Sequence, residues 1–383
     1  MSYKNVNKID FIQGFRGIAV LMVVFFHGSR FLNPSGLYDS GLGSQLFGGM
    51  GSLGVVLFFI ISGFIMTITT DKSDGSFRYF AEFCIKRVTR VWPAYVIATI
   101  ALIVFVRYGL MFFLNHENIN LFMKSIFFIP YGELIPPSFG FPLLAVGWTL
   151  NFEIYFYFIF GLSLLFGRFR WFFFYSLILL TLLALPYANG NVISIDTSVN
   201  YNFSSNFMHV VTSPIIWQFA IGSFIGILYK KNIQIKSKET CWILIFTSVS
   251  LVVTQYIARY NISHGVLGWG ITLIPMFLIF VICSKTIEIK MPKIFIYLGN
   301  ISFSLYLWHA FSQELIPVVM NNFGLYSLSN GFPAFILTSS FAIVISSISH
   351  NFIENKLSNL LKRKAIAAIS DKKFSLQEKK VDV

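Results

Sequence analysis

Two ionisable residues, Arg16 and His27, stand in the first apolar segment of the chain at a spacing that could do chemistry. They are eleven positions apart, which on an α-helix corresponds to about 3.06 turns and ~16.5 Å of rise, so both side chains leave nearly the same face. Ionisable groups are costly inside lipid and are usually functional there. The pair predicts a cation near one membrane surface and, deeper on the same face, an imidazole that could serve as base or nucleophile.

A carboxylate, Glu153, is predicted to lie at the depth of His27. In a helix that enters from the opposite side near Val146, Glu153 lies ~10 Å deep, and His27 lies ~22 Å from the first surface. In a ~30 Å hydrocarbon core these depths nearly coincide. Because a carboxylate can orient an imidazole and stabilise its protonated form, we predict His27 and Glu153 as a catalytic pair for acyl transfer. The alternative is a buried polar pair that only holds two helices together.

A basic cluster formed by Lys86, Arg87 and Arg90 stands at the predicted cytosolic border of the third long apolar segment. Arg87 and Arg90 share one helical face, and guanidinium forks suit phosphate oxygens. With Arg16 at a similar depth, the cluster predicts a binding site for a cytosolic phosphate compound. The alternative is an anchor whose side chains reach lipid phosphates.

Two further motifs concern the same region. His309, in the sequence Tyr306-Leu307-Trp308-His309, lies ~18 Å into its helix, a depth at which it would line the same cavity. A packing or interfacial role for it is the alternative. A second apolar motif ends in Ser62, Gly63 and Phe64, and its small residues permit close backbone approach, which packing alone would explain.

The composition defines the elements that must position these residues. The chain has 383 residues, 56% hydrophobic and 12% charged, with a mean hydropathy of +0.71. These values predict an all-α polytopic integral membrane protein. About ten spans are expected, near residues 12–32, 50–70, 90–113, 145–166, 171–188, 209–229, 241–259, 266–284, 296–320 and 332–355. The net charge of +13 does not indicate nucleic-acid binding, because the basic residues fall in short connections between spans.

The distribution of Lys and Arg predicts that both termini are cytosolic, starting with Lys4 and Lys8. Residues 189–207 contain no Lys or Arg and should form an exported loop. Residues 119–130 are too short to span and should be interfacial or re-entrant. We expect one transmembrane domain over 1–360 and a basic cytosolic tail over 361–383 that lies against anionic lipid headgroups.

Three cysteines, Cys84, Cys241 and Cys283, are odd in number and map to predicted cytosolic helix ends. Thiols stay reduced in that compartment. The sequence therefore predicts neither a disulfide nor a metal site.

Together and in this order, the motifs resemble the acyltransferase 3 family of integral membrane proteins. The resemblance covers most of the chain. It rests on Arg16 and His27, Phe58-Phe59, Ser62-Gly63-Phe64, Arg87, Arg90, Pro93, Tyr95, Trp148, Thr149, Leu150, Glu153, Phe156, Tyr157, Gly299, Ser302, Ser304, Leu305, Tyr306, Leu307, His309 and Ile353-Glu354. Two positions depart from the family pattern, since Val56 replaces a common acid and Lys356 stands where a proline often follows the last Glu.

The resemblance implies an O-acyltransferase of a bacterial inner membrane, without a permanently bound cofactor. Acetyl-CoA would be the donor, and the acceptor a polysaccharide or lipid-linked glycan such as O-antigen, exopolysaccharide or capsule. The expected roles are catalysis by His27 and Glu153 and binding of the acyl-CoA phosphates by Arg16, Lys86, Arg87 and Arg90. The expected cavity and structural motif consists of Ser62, Gly63, Phe64, Trp148, Tyr306 and His309.

Two other classes of protein remain as alternatives. A proton-coupled transporter would also carry Arg, His and Glu inside its helices. It would be expected to contain helices broken at matching positions in two halves, and the sequence has no such pattern. A glycan polymerase would be expected to carry a large exported domain or acidic loops, and neither is visible.

Overall fold

A computed structural model describes residues 10–33, 41–133, 135–231 and 233–381, with side chains described up to residue 369. Within these residues the chain is helical and has no β-strand. The helices are α1 (Asp10–Gly28), α2 (Leu42–Phe47), α3 (Met50–Thr69), α4 (Phe77–Leu102), α5 (His116–Ile126), α6 (Trp148–Leu164), α7 (Arg170–Leu179), α8 (Leu185–Ala188), α9 (Asn206–Val211), α10 (Trp217–Lys230), α11 (Lys238–Ile257), α12 (Gly270–Cys283), α13 (Lys293–Asn300), α14 (Ser302–Asn322), α15 (Gly331–Ser349) and α16 (Ser358–Val381). The predicted all-α polytopic fold is confirmed.

Eight helical segments of the described chain are long and apolar enough to cross a membrane. They are Asp10–Leu32, Leu42–Thr69, Phe77–Arg107, Ala145–Leu164, Gly167–Ala188, Asn206–Lys230, Lys238–Ile257 and Gly331–Ile369. A ninth candidate consists of α13 and α14, which meet at a bend of 77°. The remaining predicted span, 266–284, is reduced to the 14 residues of α12, about 21 Å of helix, because the chain before Gly270 turns instead of continuing the helix.

Glycines let the helices around the site approach at backbone distance. A Cβ at Gly63 of α3 would lie 2.1 Å from the carbonyl oxygen of Phe219 in α10, and one at Gly222 would lie 2.0 Å from that of Ile60. In the same way, a Cβ at Gly299 of α13 would lie 1.9 Å from the carbonyl oxygen of Gln13 in α1. These contacts place α3 against α10 and α13 against α1 with no room for a side chain.

An aromatic stack fills the centre of the bundle beside the site. The rings of Phe59 in α3 and Phe219 in α10 have centroids 4.2 Å apart. Phe219 also stacks on Phe156 of α6 at 4.4 Å. All three side chains are buried. The stack fixes the spacing of α3, α6 and α10, since offset stacking of buried rings is favourable over a narrow range of distances.

The short helix α5 corresponds to the segment predicted as interfacial or re-entrant. Asn115 caps its start by accepting a hydrogen bond from the backbone N–H of Glu117 at 2.8 Å. Its end packs on α4, where the indole of Trp92 donates to the carbonyl of Ile126 at 3.1 Å. With 11 residues, about 16 Å, this helix is too short to span, as the sequence analysis expects.

The C-terminal helix does not stop at the predicted end of the last span. After α15 the chain passes through a π-helical segment, His350–Leu357, and continues directly into α16. No break separates the predicted domain and tail at residue 360. At the other end, Lys4 and Lys8, which contribute to the topology prediction, lie outside the described residues. The cytosolic placement of both termini stays a prediction.

Candidate active site

A cavity opens between α1, α3, α4, α6 and α14 and contains about 740 Å³ of empty space, part of it continuous with solvent. Its polar lining consists of Arg16, Ser62, Arg87, Arg90, Thr149, Glu153, Tyr157, Ser302 and Tyr306. Its apolar lining comes mainly from α3, including Phe58, Phe59 and Ile65. Three of the four predicted phosphate-binding residues therefore meet in one cavity.

Arg16 is held in a defined orientation by two hydrogen bonds. Its guanidinium donates from Nη2 to the hydroxyl of Ser302 at 2.8 Å and from Nη1 to Oε1 of Gln13 at 3.1 Å. Ser302 begins α14, directly after the bend that follows α13. The bend therefore brings α14 to the arginine of α1, and the remaining N–H donors of Arg16 stay available to a ligand.

Arg87 and Arg90 line the same cavity from α4. The guanidinium of Arg87 lies over two aromatic rings, 5.4 Å from the centroid of Phe83 and 5.5 Å from that of Tyr157. Its Nη2 donates to the hydroxyl of Thr69 at 3.4 Å. Stacking of this kind holds an arginine in place while leaving its planar donors free for an anion.

Lys86 stands apart from the other predicted phosphate-binding residues. Its side chain is 51% exposed, and its ammonium pairs with Glu82 at 3.3 Å. It is absent from the cavity lining. On a helix, Lys86 points about 100° away from Arg87 and about 40° away from Arg90, so it stands at the edge of the face that carries the two arginines. Its side chain turns to Glu82 and not to the cavity.

Glu153 lies in the cavity wall and not beside His27. Its Oε1 accepts a hydrogen bond from the hydroxyl of Tyr157, one turn later in α6. It is close enough to interact electrostatically with Arg16 and Arg87. The described contacts include no bond between Glu153 and His27, which corrects the prediction that this carboxylate orients the imidazole directly. Equal depth in the membrane does not make two residues neighbours, because they also have to lie on facing helix surfaces.

The partner of His27 is His309. Nε2 of His309 lies 3.3 Å from Nδ1 of His27, and the two ring centroids are 5.1 Å apart. His27 is partly exposed, whereas His309 is fully buried at 0% exposure. The depth of His309 in its helix predicts that it lies in the same region, but the direct contact depends on the packing of α14 against α1.

Tyr306 stands between the cavity and the two histidines. It lines the cavity, and its ring centroid is 5.9 Å from that of His309, one turn along α14. Its hydroxyl lies 2.7 Å from that of Thr149 and donates to the carbonyl of Val146 at 2.8 Å. The cavity therefore has three arginines in its wall, and at Tyr306 it lies next to the histidine pair.

The rest of the predicted cavity motif divides between lining and packing. Ser62 lines the cavity, whereas Gly63 makes the backbone contact with α10. Phe64 points away from the cavity and packs edge-on against Phe277 of α12, with ring centroids 5.3 Å apart. Trp148 packs against Phe152 and His264 at the start of α6.

Val56, the departure from the family pattern, is fully buried in an apolar cluster, so its side chain faces other apolar residues.

The π-helical segment contributes a carboxylate, Glu354, whose role the sequence does not predict. Glu354 accepts hydrogen bonds from the backbone N–H of Ser304 at 3.0 Å and from its hydroxyl. His350 lies 3.4 Å from the same carboxylate oxygen. Glu354 also interacts electrostatically with Arg16 and Arg90. It therefore holds the start of α14 and balances the charge of the arginines, and only its place in the family motif could have indicated it.

The arrangement combines an anion site with a base or nucleophile. Bidentate arginine donors suit phosphate groups, and a partly exposed imidazole beyond them can take a proton or form a covalent intermediate. Among the described residues, no three His, Cys, Asp or Glu side chains come together as metal ligands. The three cysteines are free thiols.

The chain is similar in sequence to known proteins of three organisms. The chain is 30% identical over 285 residues to the exopolysaccharide production protein ExoZ of Rhizobium meliloti strain 1021, covering 70% of this chain and 78% of that protein. It is 28% identical to a proposed acetyltransferase of Acidianus two-tailed virus, over 80% of this chain and 84% of the relative. A proposed O-acetyltransferase of Staphylococcus aureus strain COL is 23% identical, over 92% of this chain and 58% of the relative.

No solved structure matches the chain significantly. The model of one protein family, described as an acyltransferase domain, matches residues 9–350, which is nearly all of the helical bundle and includes every residue of the candidate site except Glu354. The chain belongs to this family of membrane-embedded acyltransferases, acyltransferase 3.

Proposed function

We propose that the protein is an O-acetyltransferase that moves an acetyl group from acetyl-CoA to a hydroxyl of a polysaccharide or lipid-linked glycan. The observation that carries this proposal is the cavity wall with three arginines, which adjoins the His27–His309 pair at Tyr306. Membership of the acyltransferase family supports the reaction class. The similarity to a protein of exopolysaccharide production supports the class of acceptor.

In the proposed donor site, the phosphates of acetyl-CoA bind Arg16, Arg87 and Arg90. These groups present guanidinium donors to one space. The orientation of Arg16 is set by Ser302 and Gln13, and that of Arg87 by the rings of Phe83 and Tyr157. The acyl-bearing arm would run along the apolar face of α3 towards Tyr306. Lys86 would assist only from outside the cavity, where it pairs with Glu82.

His27 is the proposed catalytic residue, by one of two routes. In the first, its imidazole takes the proton from the acceptor hydroxyl, whose oxygen attacks the thioester carbonyl carbon. The carbon–sulfur bond then breaks, and the proton passes to the departing thiolate. In the second, the imidazole attacks the thioester carbonyl carbon, the carbon–sulfur bond breaks and coenzyme A leaves as the thiolate. The acceptor oxygen then attacks the acetyl carbon, the carbon–nitrogen bond breaks, and the hydroxyl proton passes by way of the imidazole to the thiolate. Both routes start from a nitrogen lone pair on His27.

Glu153 is proposed to act by balancing the positive charge of the cavity wall. It accepts from Tyr157 and balances the charge of Arg16 and Arg87. Without this carboxylate, Glu354 alone would balance the charge of three guanidinium groups in a space of low dielectric, which is costly in the absence of the donor. We therefore expect its loss to alter the binding of acetyl-CoA as well as turnover.

The proposed orientation places the donor entrance on the cytosolic side of a bacterial inner membrane. It follows from the positive-inside distribution of the connecting segments. The acceptor would then enter from the exported side, where residues 189–207 and the connection before α6 are predicted. A transfer across the membrane would use a single chain with its catalytic histidine between two entrances.

The test is the ester content of surface polysaccharide in cells lacking the gene and complemented with wild-type, His27→Ala or Glu153→Ala forms at matched membrane levels. Base-labile O-acetyl groups are measured by proton NMR. We expect restoration by the wild-type form, loss with His27→Ala and a strong decrease with Glu153→Ala. His116→Ala and Glu239→Ala, which alter exposed residues outside the cavity, are the matched controls.

If the wild-type form adds no ester to any envelope glycan, the polysaccharide assignment is wrong. Purified protein in lipid vesicles provides the second measurement, the release of free coenzyme A from acetyl-CoA in the presence of the glycan. Proton-coupled uptake that survives His27→Ala, with no ester change, would favour the transporter alternative.

A further inference from the structure

We infer that His309 is a positioning residue that sets the tautomer of His27, so that its Nδ1 carries the proton and its Nε2 presents a bare lone pair to the reactants. This inference rests on the proposed function, in which His27 acts through a nitrogen lone pair. The contact between His309 of α14 and His27 of α1 follows from neither the motifs nor membrane depth.

Two backbone carbonyls, each one helical turn before a histidine, define which ring nitrogens carry the protons. Nδ1 of His27 lies 3.0 Å from the carbonyl oxygen of Val23, and Nδ1 of His309 lies 3.2 Å from that of Leu305. Each histidine thus meets the carbonyl one helical turn before it. A carbonyl oxygen can only accept a hydrogen bond, so each contact is a bond only when Nδ1 carries the proton.

The contact between Nε2 of His309 and Nδ1 of His27 then has only one consistent donor and one consistent acceptor. In a neutral imidazole with a proton on Nδ1, the other nitrogen is an acceptor. Nε2 of His309 therefore offers its lone pair to the Nδ1–H of His27, 3.3 Å away. That proton is shared between His309 and the carbonyl of Val23, a three-centre arrangement of the kind found in helices. The reverse polarity would set lone pairs against both carbonyls unless His309 were charged.

The remaining nitrogen of His27, Nε2, has no hydrogen-bond partner within the described part of the chain. His27 is partly exposed, whereas His309 is buried. His309 therefore has no direct access to reactants and acts through His27. When Nε2 of His27 takes a proton or forms a bond to carbon, positive charge develops on the ring, and the Nδ1–H bond to the lone pair of His309 becomes stronger.

This role is the one that a carboxylate has in many catalytic triads, where it holds the imidazole tautomer and stabilises the imidazolium. A neutral imidazole achieves it here without adding a negative charge to the helix interior, which is costly to bury. The arrangement also explains how His27 can be oriented although Glu153 makes no contact with it.

Two substitutions at His309 separate positioning from packing. In His309→Gln, the side-chain oxygen can occupy the place of Nε2 and accept from His27. In His309→Asn, the shorter amide replaces Nδ1 and can bond only the carbonyl of Leu305. We expect kcat to fall by about 10²-fold in His309→Asn and by less than about 10-fold in His309→Gln, with KM for acetyl-CoA within about 2-fold in both. Equal losses in both variants, or full activity of His309→Asn, would overturn the inference.

A direct measurement covers the case in which both variants fold poorly. Full-length wild-type protein with nitrogen-15-labelled histidine is reconstituted in lipid vesicles, and solid-state NMR identifies the protonated nitrogen of each ring. The His27 signals are assigned by difference from His27→Ala. A protonated Nδ1 with a bare Nε2 supports the inference, and a protonated Nε2 overturns it. This readout needs no turnover, so it remains decisive even if no glycan ester is formed and the proposed function is wrong.

Discussion

The guanidinium of Arg16 donates a hydrogen bond to the hydroxyl of Ser302 at 2.8 Å, and this contact joins α1 to the start of α14 across 286 positions of sequence. Ser302 follows the 77° bend between α13 and α14. The bend turns the chain so that one end of α14 meets the arginine and the histidine further along it meets His27. The same two helices thus position the anion site and the imidazole pair.

We predict that Arg16→Lys raises KM for acetyl-CoA about 10-fold or more. A hydrogen bond to a charged group contributes about 1.5–3 kcal/mol, and one ammonium cannot serve Ser302, Gln13 and a phosphate in the planar geometry of arginine. Ser302→Ala, which loosens Arg16 but keeps its charge, should have a smaller effect of the same sign. Initial rates over a range of acetyl-CoA concentrations measure both. An unchanged KM in Arg16→Lys would remove Arg16 from the donor site.

Arg90→Ala and Lys86→Ala should have different effects on the KM for acetyl-CoA, although residues four positions apart are neighbours on a helix. Arg90 lines the cavity, whereas Lys86 is exposed and pairs with Glu82. An exposed ion pair contributes about 0–1 kcal/mol, so Lys86→Ala should change KM for acetyl-CoA less than about 3-fold. Arg90→Ala should raise it about 10-fold or more. Similar effects of both substitutions would mean that the donor binds along the whole basic face of α4.

Gly63→Ala is predicted to prevent correct folding or to lower thermal stability strongly. The added methyl group would lie 2.1 Å from the carbonyl oxygen of Phe219, so α3 and α10 would have to separate. Forced separation of packed helices costs about 1–3 kcal/mol or more. Gly161→Ala is the matched control, because its nearest neighbours are ring atoms of Phe80 and Phe83 at 3.1–3.3 Å that can shift.

The melting temperatures of the purified Gly63→Ala and Gly161→Ala variants in detergent are compared with that of the wild type. A Gly63→Ala variant that melts within a few degrees of wild type would show that the contact between α3 and α10 can relax.

Arg107 and Glu314 form an ion pair that should stabilise the contact between the chain after α4 and α14. The guanidinium donates to both carboxylate oxygens, at 2.7 and 2.9 Å, and also to the carbonyl of Leu143 at 3.1 Å. The two side chains are 32% and 26% exposed, so the pair should contribute about 1 kcal/mol.

A charge exchange tests this pair. Glu314→Arg should lower the melting temperature through repulsion, and the double variant Arg107→Glu with Glu314→Arg should recover part of that loss. A double variant that is no more stable than the worse single variant would show that the pair has no stabilising interaction to exchange.

Sequence reasoning from single positions succeeded where a property depends on the local chain. The spacing of Arg16 and His27 along one helix needs only the helical repeat, and Arg87 and Arg90 share a face for the same reason. It was wrong about the partner of His27, because depth in the membrane specifies one coordinate and a contact requires three. Lys86 stands one turn before Arg90, at the edge of the same face, and only the structure shows that its side chain pairs with Glu82 outside the cavity.

The sequence by itself determined the all-α membrane architecture, the family and the residue types of the site. It did so because burial in lipid requires long apolar helices, and ionisable residues within them stand out against that background. Only the tertiary structure decided which of these residues meet. The contact of His309 with His27, the place of Glu153 beside Tyr157 and the role of Glu354 at Ser304 all depend on helix rotation and on the bend before Ser302. These are set by packing between helices distant in sequence, and no local pattern of residues encodes them.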